Sequence, residues 1–179
     1  IFPGIITSRK NQISLINALA FLKKDNVKFH CVLPGPIVDT AYFDELRRTI
    51  KKSDLEKDVT VPGPVPFEHL LSLYSECSLM VLTSLQETAP LVISEAMATG
   101  TPVIASQVSG IPYMISSEKS GFLINPNDPE QVASRVAILL DDNSLRKKYG
   151  EESRRIALSR WKSEVIVSNQ LNEYAGLVT

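Results

Sequence analysis

The sequence predicts an α/β domain with a doubly wound parallel sheet of about six strands and helices on both faces. Short apolar runs alternate with helical patterns every ~20–30 residues, which is typical of βα units and a parallel sheet. The run over 78–82 is almost wholly apolar, as expected for a strand buried on both faces. The 179 residues suffice for one domain with a core of its own.

The predicted strands are short and end at turn signals. Pro-Gly-Pro sequences at 34–36 and 62–64 stop the second and third strands. The strands are predicted over 1–6, 27–33, 58–61, 78–82, 103–105 and 121–124.

The helices show apolar periodicity and recognisable starts. Asn11 is predicted to cap the first helix, and Asp128, with Pro129 next and Gln131 three residues on, is a capping signal for another. Further helices are predicted over 40–52, 67–76, 91–99, 144–158 and 163–175.

Composition and missing motifs exclude several classes of protein. The formal net charge of −1 gives no basic field for nucleic acid. Cys31 and Cys77 lack CxxC spacing, His30 and His69 are isolated, and no structural metal site or disulfide framework is expected. The dinucleotide, P-loop and hydrolase signatures GxGxxG, GxxxxGK[ST] and GxSxG are absent. The chain starts at Ile1 without a methionine, and we expect it to be part of a longer protein.

A doubly wound sheet places its site in the loops at the carboxyl ends of the strands. Glu87 lies in such a loop, and Glu95 lies in the next helix among apolar residues, where an unpartnered carboxylate is costly. Glu95 therefore faces a polar ligand, a basic partner or water, and a capping or salt-bridge role stays open. Lys10, in the first loop, is either a ligand contact or a solvated lysine.

The start of the helix over 91–99 is a candidate anion site. Ala89 is a poor cap, and Thr88 caps only if the helix starts earlier. Free N–H groups at a helix start suit a phosphate. Together with a lysine and two carboxylates, they suit a nucleoside diphosphate joined to hydroxyl-bearing sugars.

Glu87-x7-Glu95, followed by Ala-Met-Ala-x-Gly over 96–100, resembles the E-x7-E motif of retaining GT-B glycosyltransferases of group 1, the GT4-like type. Other segments resemble the same family in the same order, and together they cover almost the whole chain: Gly4 with Lys10 and Asn11, 67–78, 109–112 and 121–128.

The resemblance implies that residues 1–179 form one Rossmann-like nucleotide-sugar-binding domain, the C-terminal half of a GT-B enzyme. It assigns Lys10 to the donor diphosphate, Glu87 to the donor sugar and Glu95 to the ribose. The first two are the implied catalytic residues. The helix over 163–179 is expected to cross toward an N-terminal acceptor-binding domain outside the chain.

The resemblance also implies main-chain contacts to the donor. The N–H groups of Leu91 and Val92 are expected on phosphate, and Val65 and Pro66 near the nucleobase. The chain differs from the family pattern at three places. Thr88-Ala89-Pro90 replaces Gly-Phe-Gly, Ile5 replaces an arginine for which Arg9 is a candidate substitute, and Tyr113 replaces an acidic residue.

The expected partner is a UDP-, GDP- or ADP-sugar, with no metal or other cofactor and no nucleic acid. Cytoplasmic placement is expected, and peripheral membrane attachment of the full-length protein is left open. Two alternatives remain: another GT-B enzyme, such as an epimerase or a phosphorylase-like protein, and a non-catalytic flavodoxin-like domain with Glu95 in a salt bridge.

Overall fold

Residues 1–177, with side chains as far as residue 174, are described by a computed structural model, and they form an α/β fold with five strands and seven α-helices. The strands are β1 (Cys31–Pro34), β2 (Val59–Gly63), β3 (Met80–Leu82), β4 (Val103–Ser106) and β5 (Gly121–Ile124). The helices are α1 (Gln12–Lys24), α2 (Thr40–Lys52), α3 (Phe67–Glu76), α4 (Leu91–Thr99), α5 (Pro129–Asp141), α6 (Asn143–Trp161) and α7 (Ser163–Leu177).

All the strand pairs are parallel, and the segment over 1–6 joins them into one sheet. β1 pairs with β2, while β3, β4 and β5 form a second group. On one side of the segment Gly4 N–H donates to the Pro34 carbonyl at 2.9 Å, and on the other Val81 N–H donates to the Ile1 carbonyl at 3.0 Å. The order in space is therefore β2, β1, segment 1–6, β3, β4, β5, which is the 3-2-1-4-5-6 order of a Rossmann-like sheet.

The segment over 1–6 occupies the position of the predicted first strand but is not a regular strand. Pro3 has no N–H to donate, and Gly4 has a φ of +138°. These two residues interrupt the regular hydrogen bonding between strands. Parallel pairing resumes at Ile6, which forms an isolated bridge with Ile37. The fold class is confirmed, but the number of regular strands is five instead of about six.

The helix predictions are mostly confirmed. α2, α3 and α4 begin and end at the predicted residues. Asp128 caps α5 by accepting from Gln131 N–H at 2.9 Å, with Pro129 at the first position. The prediction that the Asn11 side chain caps α1 is wrong, although Asn11 does precede the helix. Asn11 has a left-handed backbone (φ 54°) and its side chain donates to the Pro126 carbonyl instead.

Other boundaries differ from the sequence prediction for physical reasons. β1 begins at Cys31, four residues late, because its partner β2 begins opposite Cys31, at Val59. α6 extends to Trp161, beyond the predicted end at residue 158. Helix α7 is present over Ser163–Leu177, and the last two positions of the region predicted over 163–179 lie outside the described residues.

The helices form two layers, one on each face of the sheet. α1 packs against α2 and α5, and α4 packs against α3 and α6. Leu33, Met80 and Ile104, one from each of three strands, are fully buried between these layers. None of the helices within residues 1–177 is long and apolar enough to cross a membrane.

Two glycines allow α4 and α6 to approach closely. Gly100 ends α4 in the left-handed conformation (φ +83°), and Gly150 lies inside α6 against the Gly100 carbonyl. A Cβ at Gly150 would overlap that carbonyl oxygen, which is main chain and cannot rotate away. The position of α4 therefore depends on a glycine in the neighbouring helix.

We expect Gly150→Ala to lower the free energy of unfolding by about 1–3 kcal/mol, the usual cost of overpacking. In an unobstructed helix the same change would raise it by roughly 1 kcal/mol, because alanine favours the helix. Urea unfolding measures the difference. The exposed Lys147→Ala in the same helix is the control and should stay within about 0.5 kcal/mol of the parent. A stabilised Gly150→Ala protein would contradict the close approach.

Candidate functional site

The candidate site lies at the carboxyl edge of the sheet, where the strand order reverses between the segment over 1–6 and β3. The connections that follow two such neighbours lead to opposite faces of the sheet and leave a crevice between them. The loop over 7–11 forms one wall of this crevice, and the loop over 83–90 forms the other.

Two hydrogen bonds to main-chain carbonyls hold these two loops together. The N–H of Leu85 donates to the Arg9 carbonyl at 2.8 Å. The hydroxyl of Thr83 donates to the Asn11 carbonyl, also at 2.8 Å. The walls are therefore fixed relative to each other by groups that leave the side chains between them free for other contacts.

Lys10 and Glu87 meet between these walls. Lys10 lies in a 3-10 turn over Ser8–Lys10, and its Nζ donates to Glu87 Oε1, 77 residues away in sequence. Only 8% of Lys10 and 9% of Glu87 is exposed. The lysine stem lies beside Gly4, in the segment that joins the two sheet groups. The structure thus brings together the two residues that the sequence analysis named as catalytic, and it pairs them directly.

The connection after β4 fixes the loop that contains Glu87. The N–H of Gly110 donates to the Glu87 carbonyl at 3.1 Å. A Cβ at Gly110 would overlap the Thr88 carbonyl oxygen, so only glycine fits there. The segment over 109–112, Ser-Gly-Ile-Pro, therefore acts on Glu87 through its glycine, a role that the sequence did not indicate.

The start of α4 faces the same edge without a side-chain cap. Pro90 is the N-cap residue and no side chain bonds the first turn, so the alternative cap by Thr88 is wrong. Ile93 N–H bonds the Pro90 carbonyl, while the N–H groups of Leu91 and Val92 have no protein partner among the described residues. Leu91 is 73% exposed. Two main-chain donors and the positive end of the helix dipole are available to an anion here.

Glu95 lies one turn after Leu91 and is bonded to a tyrosine. Its Oε2 accepts from the Tyr74 hydroxyl of α3 at 3.0 Å. No basic side chain among residues 1–174 forms a salt bridge with Glu95, so the salt bridge expected for a non-catalytic domain is not found there.

Tyr74 is the contact that the sequence analysis missed. It is fully buried, and burial together with the Glu95 carboxylate raises the pKa of its hydroxyl above the ordinary value. The available signal was a tyrosine on the apolar face of a helix, because a buried phenol usually needs a polar partner. The sequence alone could not say which partner.

The remaining predicted contacts lie at the rim. Arg9, Thr88 and Ala89 are exposed in the two loops. Val65 is half-buried, and Pro66 is the N-cap residue of α3, the helix that also contains Tyr74. The structure connects Pro66 to Glu95 through α3 but shows no direct contact between Pro66 and the Lys10–Glu87 pair.

The cysteines and His30 lie away from this crevice, at the other end of the strands. Burial raises the pKa of the Cys31 and Cys77 thiols, and His30 is exposed and bonded to Thr60. Within residues 1–177 no group of three or more histidine, cysteine or acidic side chains is placed to hold a metal ion.

Comparison with known proteins identifies a family. Residues 1–156 match the family model described as glycosyl transferases group 1. A D-inositol 3-phosphate glycosyltransferase from Corynebacterium efficiens is 32% identical over 155 residues, which is 85% of this chain and 37% of that protein. An N-acetyl-alpha-D-glucosaminyl L-malate synthase from Bacillus anthracis is 33% identical over 130 residues, 73% of this chain and 34% of that protein.

Solved structures share the fold. Anabaena HepE, solved in complex with UDP, aligns with a TM-score of 0.85 and 25% identity over 99% of this chain and 49% of that chain. The C-terminal domain of the group 1 protein LpcC from Francisella tularensis aligns with a TM-score of 0.81 and 24% identity over 90% of this chain and 86% of that chain. The chain spans about a third of the length of the curated relatives named above. On the match over 1–156 and this shared fold, the chain belongs to the glycosyl transferases group 1 family.

Proposed function

We propose that this chain is the donor-binding domain of a retaining glycosyltransferase, which transfers a hexose from a nucleoside-diphosphate sugar to an acceptor. The observation that supports this most is the buried Lys10–Glu87 pair beside the uncapped start of α4. A cation, a carboxylate and free main-chain donors lie at one edge of a Rossmann-like sheet. This set of groups matches a sugar joined to a diphosphate.

The diphosphate is proposed to bind between Lys10 and the first turn of α4. Lys10 supplies a positive charge with three donors, and the N–H groups of Leu91 and Val92 supply two more. These groups stabilise the charge that develops on the diphosphate as its bond to the sugar C1 breaks. The electron pair of that bond leaves with the diphosphate oxygen, and the acceptor oxygen bonds C1 as its proton passes to an oxygen of the departing diphosphate.

Glu87 is proposed to hold the hydroxyls of the donor sugar and so to orient C1 toward the acceptor. In the structure, Glu87 accepts from Lys10. When the diphosphate attracts Lys10, the carboxylate gains room for hydroxyl donors. Arg9, Thr88 and Ala89, exposed at the rim, are proposed to contact the donor at its outer side.

The nucleoside is proposed to lie between Glu95 and the start of α3. Glu95 accepts from the ribose hydroxyls, and Val65 and Pro66 contact the base through main-chain atoms. Uridine is the proposed base, because HepE has been solved with UDP and with UDP-glucose.

The acceptor is proposed to bind to a second domain. The chain covers about half of HepE, and α7 exposes Val167, Leu171 and Tyr174. These apolar residues suit packing against such a domain. We also propose that transfer needs no metal and takes place in the cytoplasm.

A nucleotide titration tests the proposed function. We expect saturable binding of UDP in calorimetry and weaker or no binding of GDP and ADP. Glu95→Gln should weaken binding about tenfold, because the amide accepts fewer hydrogen bonds than a carboxylate. Glu130→Gln, an exposed position at the start of α5, is the matched control and should bind like the parent. The donor-domain proposal fails if none of the three nucleotides binds the full-length protein at millimolar concentration.

Lys10→Met should distinguish the contribution of the diphosphate to binding from that of the nucleoside. We expect UDP affinity to fall about 10- to 100-fold, the effect of losing a charge-assisted hydrogen bond of roughly 1.5–3 kcal/mol. Uridine, which has no phosphate, should bind as before. Lys24→Met, an exposed lysine at the end of α1, controls for the loss of a charge. Equal losses for UDP and uridine would point to unfolding, which a melting curve would also reveal.

Glu87→Gln, unlike Lys10→Met, should not weaken the binding of free UDP. Removal of the carboxylate releases Lys10, and we expect UDP to bind at least as tightly as to the parent. Slow hydrolysis of UDP-glucose, followed as UDP release, should fall about 100-fold or more because the sugar is no longer held in place. Loss of UDP binding in a folded Glu87→Gln protein would mean that the roles of Lys10 and Glu87 have been assigned wrongly.

A further inference from the structure

We propose that Tyr74 is a positioning residue for the nucleoside: its hydroxyl holds the Glu95 carboxylate in the orientation that accepts the two ribose hydroxyls. This inference rests on the proposed function, because it takes Glu95 as the ribose contact. It adds a residue from α3 that touches the ligand only through another side chain.

The Tyr74 hydroxyl has one hydrogen-bond partner among the described residues. The side chain is fully buried, and its hydroxyl has Glu95 Oε2 as its partner at 3.0 Å. A phenol that stays protonated can donate one hydrogen bond, and it takes up one of about four acceptor sites on the carboxylate. The other sites of Glu95 remain available to two hydroxyls of a ligand.

The main chain of Tyr74 is also fixed. The hydroxyl of Thr101 donates to the Tyr74 carbonyl at 2.7 Å, and this bond is buried. Thr101 follows directly after Gly100, the residue that ends α4. The end of α4 is therefore joined to Tyr74, while Tyr74 is joined to Glu95 in the middle of α4. The first contact fixes the main chain of Tyr74 and the second joins its hydroxyl to the carboxylate, so both position Glu95 relative to α4.

A fixed carboxylate lowers the entropic cost of binding. A free glutamate side chain samples many rotamers and loses that freedom when a ligand holds it. Glu95 is only half-buried and has no basic partner among residues 1–174, so the Tyr74 hydroxyl is the side-chain group that restricts it. Part of the ordering is then complete before the nucleoside arrives, which strengthens binding.

The pKa of Tyr74 agrees with this role. Burial, and next the neighbouring carboxylate, hold the pKa of the phenol well above its ordinary value. The hydroxyl therefore remains a donor at every pH at which the protein would be assayed.

The experiment measures how far binding depends on the ribose hydroxyls. UDP, GDP and ADP, each with its 2′,3′-dideoxy form, are titrated into the full-length parent, Tyr74→Phe, Tyr149→Phe and Glu95→Gln. Tyr149 is the matched control: it is also a buried tyrosine, but it lies in α6 and packs against Phe122 of β5, whereas Glu95 bonds to Tyr74. Melting curves of all four proteins record any loss of stability.

We expect Tyr74→Phe to weaken binding of the preferred nucleotide by about 3- to 10-fold, the worth of one hydrogen bond, and to change its dideoxy form less than about twofold. Tyr149→Phe should leave the ratio of the two affinities at the parent value. If Tyr74 had a merely structural role, Tyr74→Phe would lower both affinities equally or change neither of them, and either result overturns the inference.

Nucleotide binding to the parent protein distinguishes failure of the inference about Tyr74 from failure of the proposed function. If the parent binds none of the nucleotides, the donor-domain proposal is wrong and the inference falls with it. If the parent binds a nucleotide and its dideoxy form equally, Glu95 is not the ribose contact and the inference is again overturned. A parent preference that is lost in Glu95→Gln but kept in Tyr74→Phe leaves the function standing and removes the role of Tyr74 alone.

Discussion

The backbone hydrogen bonds on the two sides of residues 1–6 hold the rest of the structure in place. β1 with β2 and β3 with β4 and β5 are separate groups of strands, and this segment bonds to both. The site exists because of that junction, since the order of the sheet reverses there. Lys10 follows the segment directly, whereas Glu87 follows β3 on the other side. If residues 1–6 lost their hydrogen bonds to β1 and β3, Lys10 and Glu87 would no longer be held close enough to pair.

The pairing of Lys10 with Glu87 follows from where the junction places them. Both side chains are about nine-tenths buried, and either charge alone would be costly there. In the structure, each satisfies the other. In the proposed donor complex, a diphosphate competes with Glu87 for the lysine, while sugar hydroxyls compete with the lysine for Glu87. The two halves of the proposed donor therefore act on one ion pair, and their binding is coupled through it.

Much of the fold could be predicted from the sequence because local signals and tertiary packing agree. The helix over Thr40–Lys52 has clear periodicity, and Gly100 marks the end of the helix over Leu91–Thr99; the structure reproduces both helices. The first strand was predicted from its apolar residues, but Pro3 and Gly4 prevent a regular ladder. Residues 27–30 are apolar enough for a strand but begin before β2 offers a partner. Pattern alone does not contain this information, because pairing depends on where the neighbouring strand starts.

The site shows the same division between local and distant information. The spacing of Glu87 and Glu95 is a local pattern, and it indicated both residues. Their partners are distant: Lys10 lies 77 residues before Glu87, and Tyr74 lies 21 residues before Glu95. Helix α4 contains Glu95 and the free N–H groups of Leu91 and Val92, one turn apart, about 6 Å along the axis. In the proposed donor site the ribose and the diphosphate thus meet one rigid helix at a fixed spacing. Selection of the base is left to the connection before α3, where Val65 and Pro66 lie.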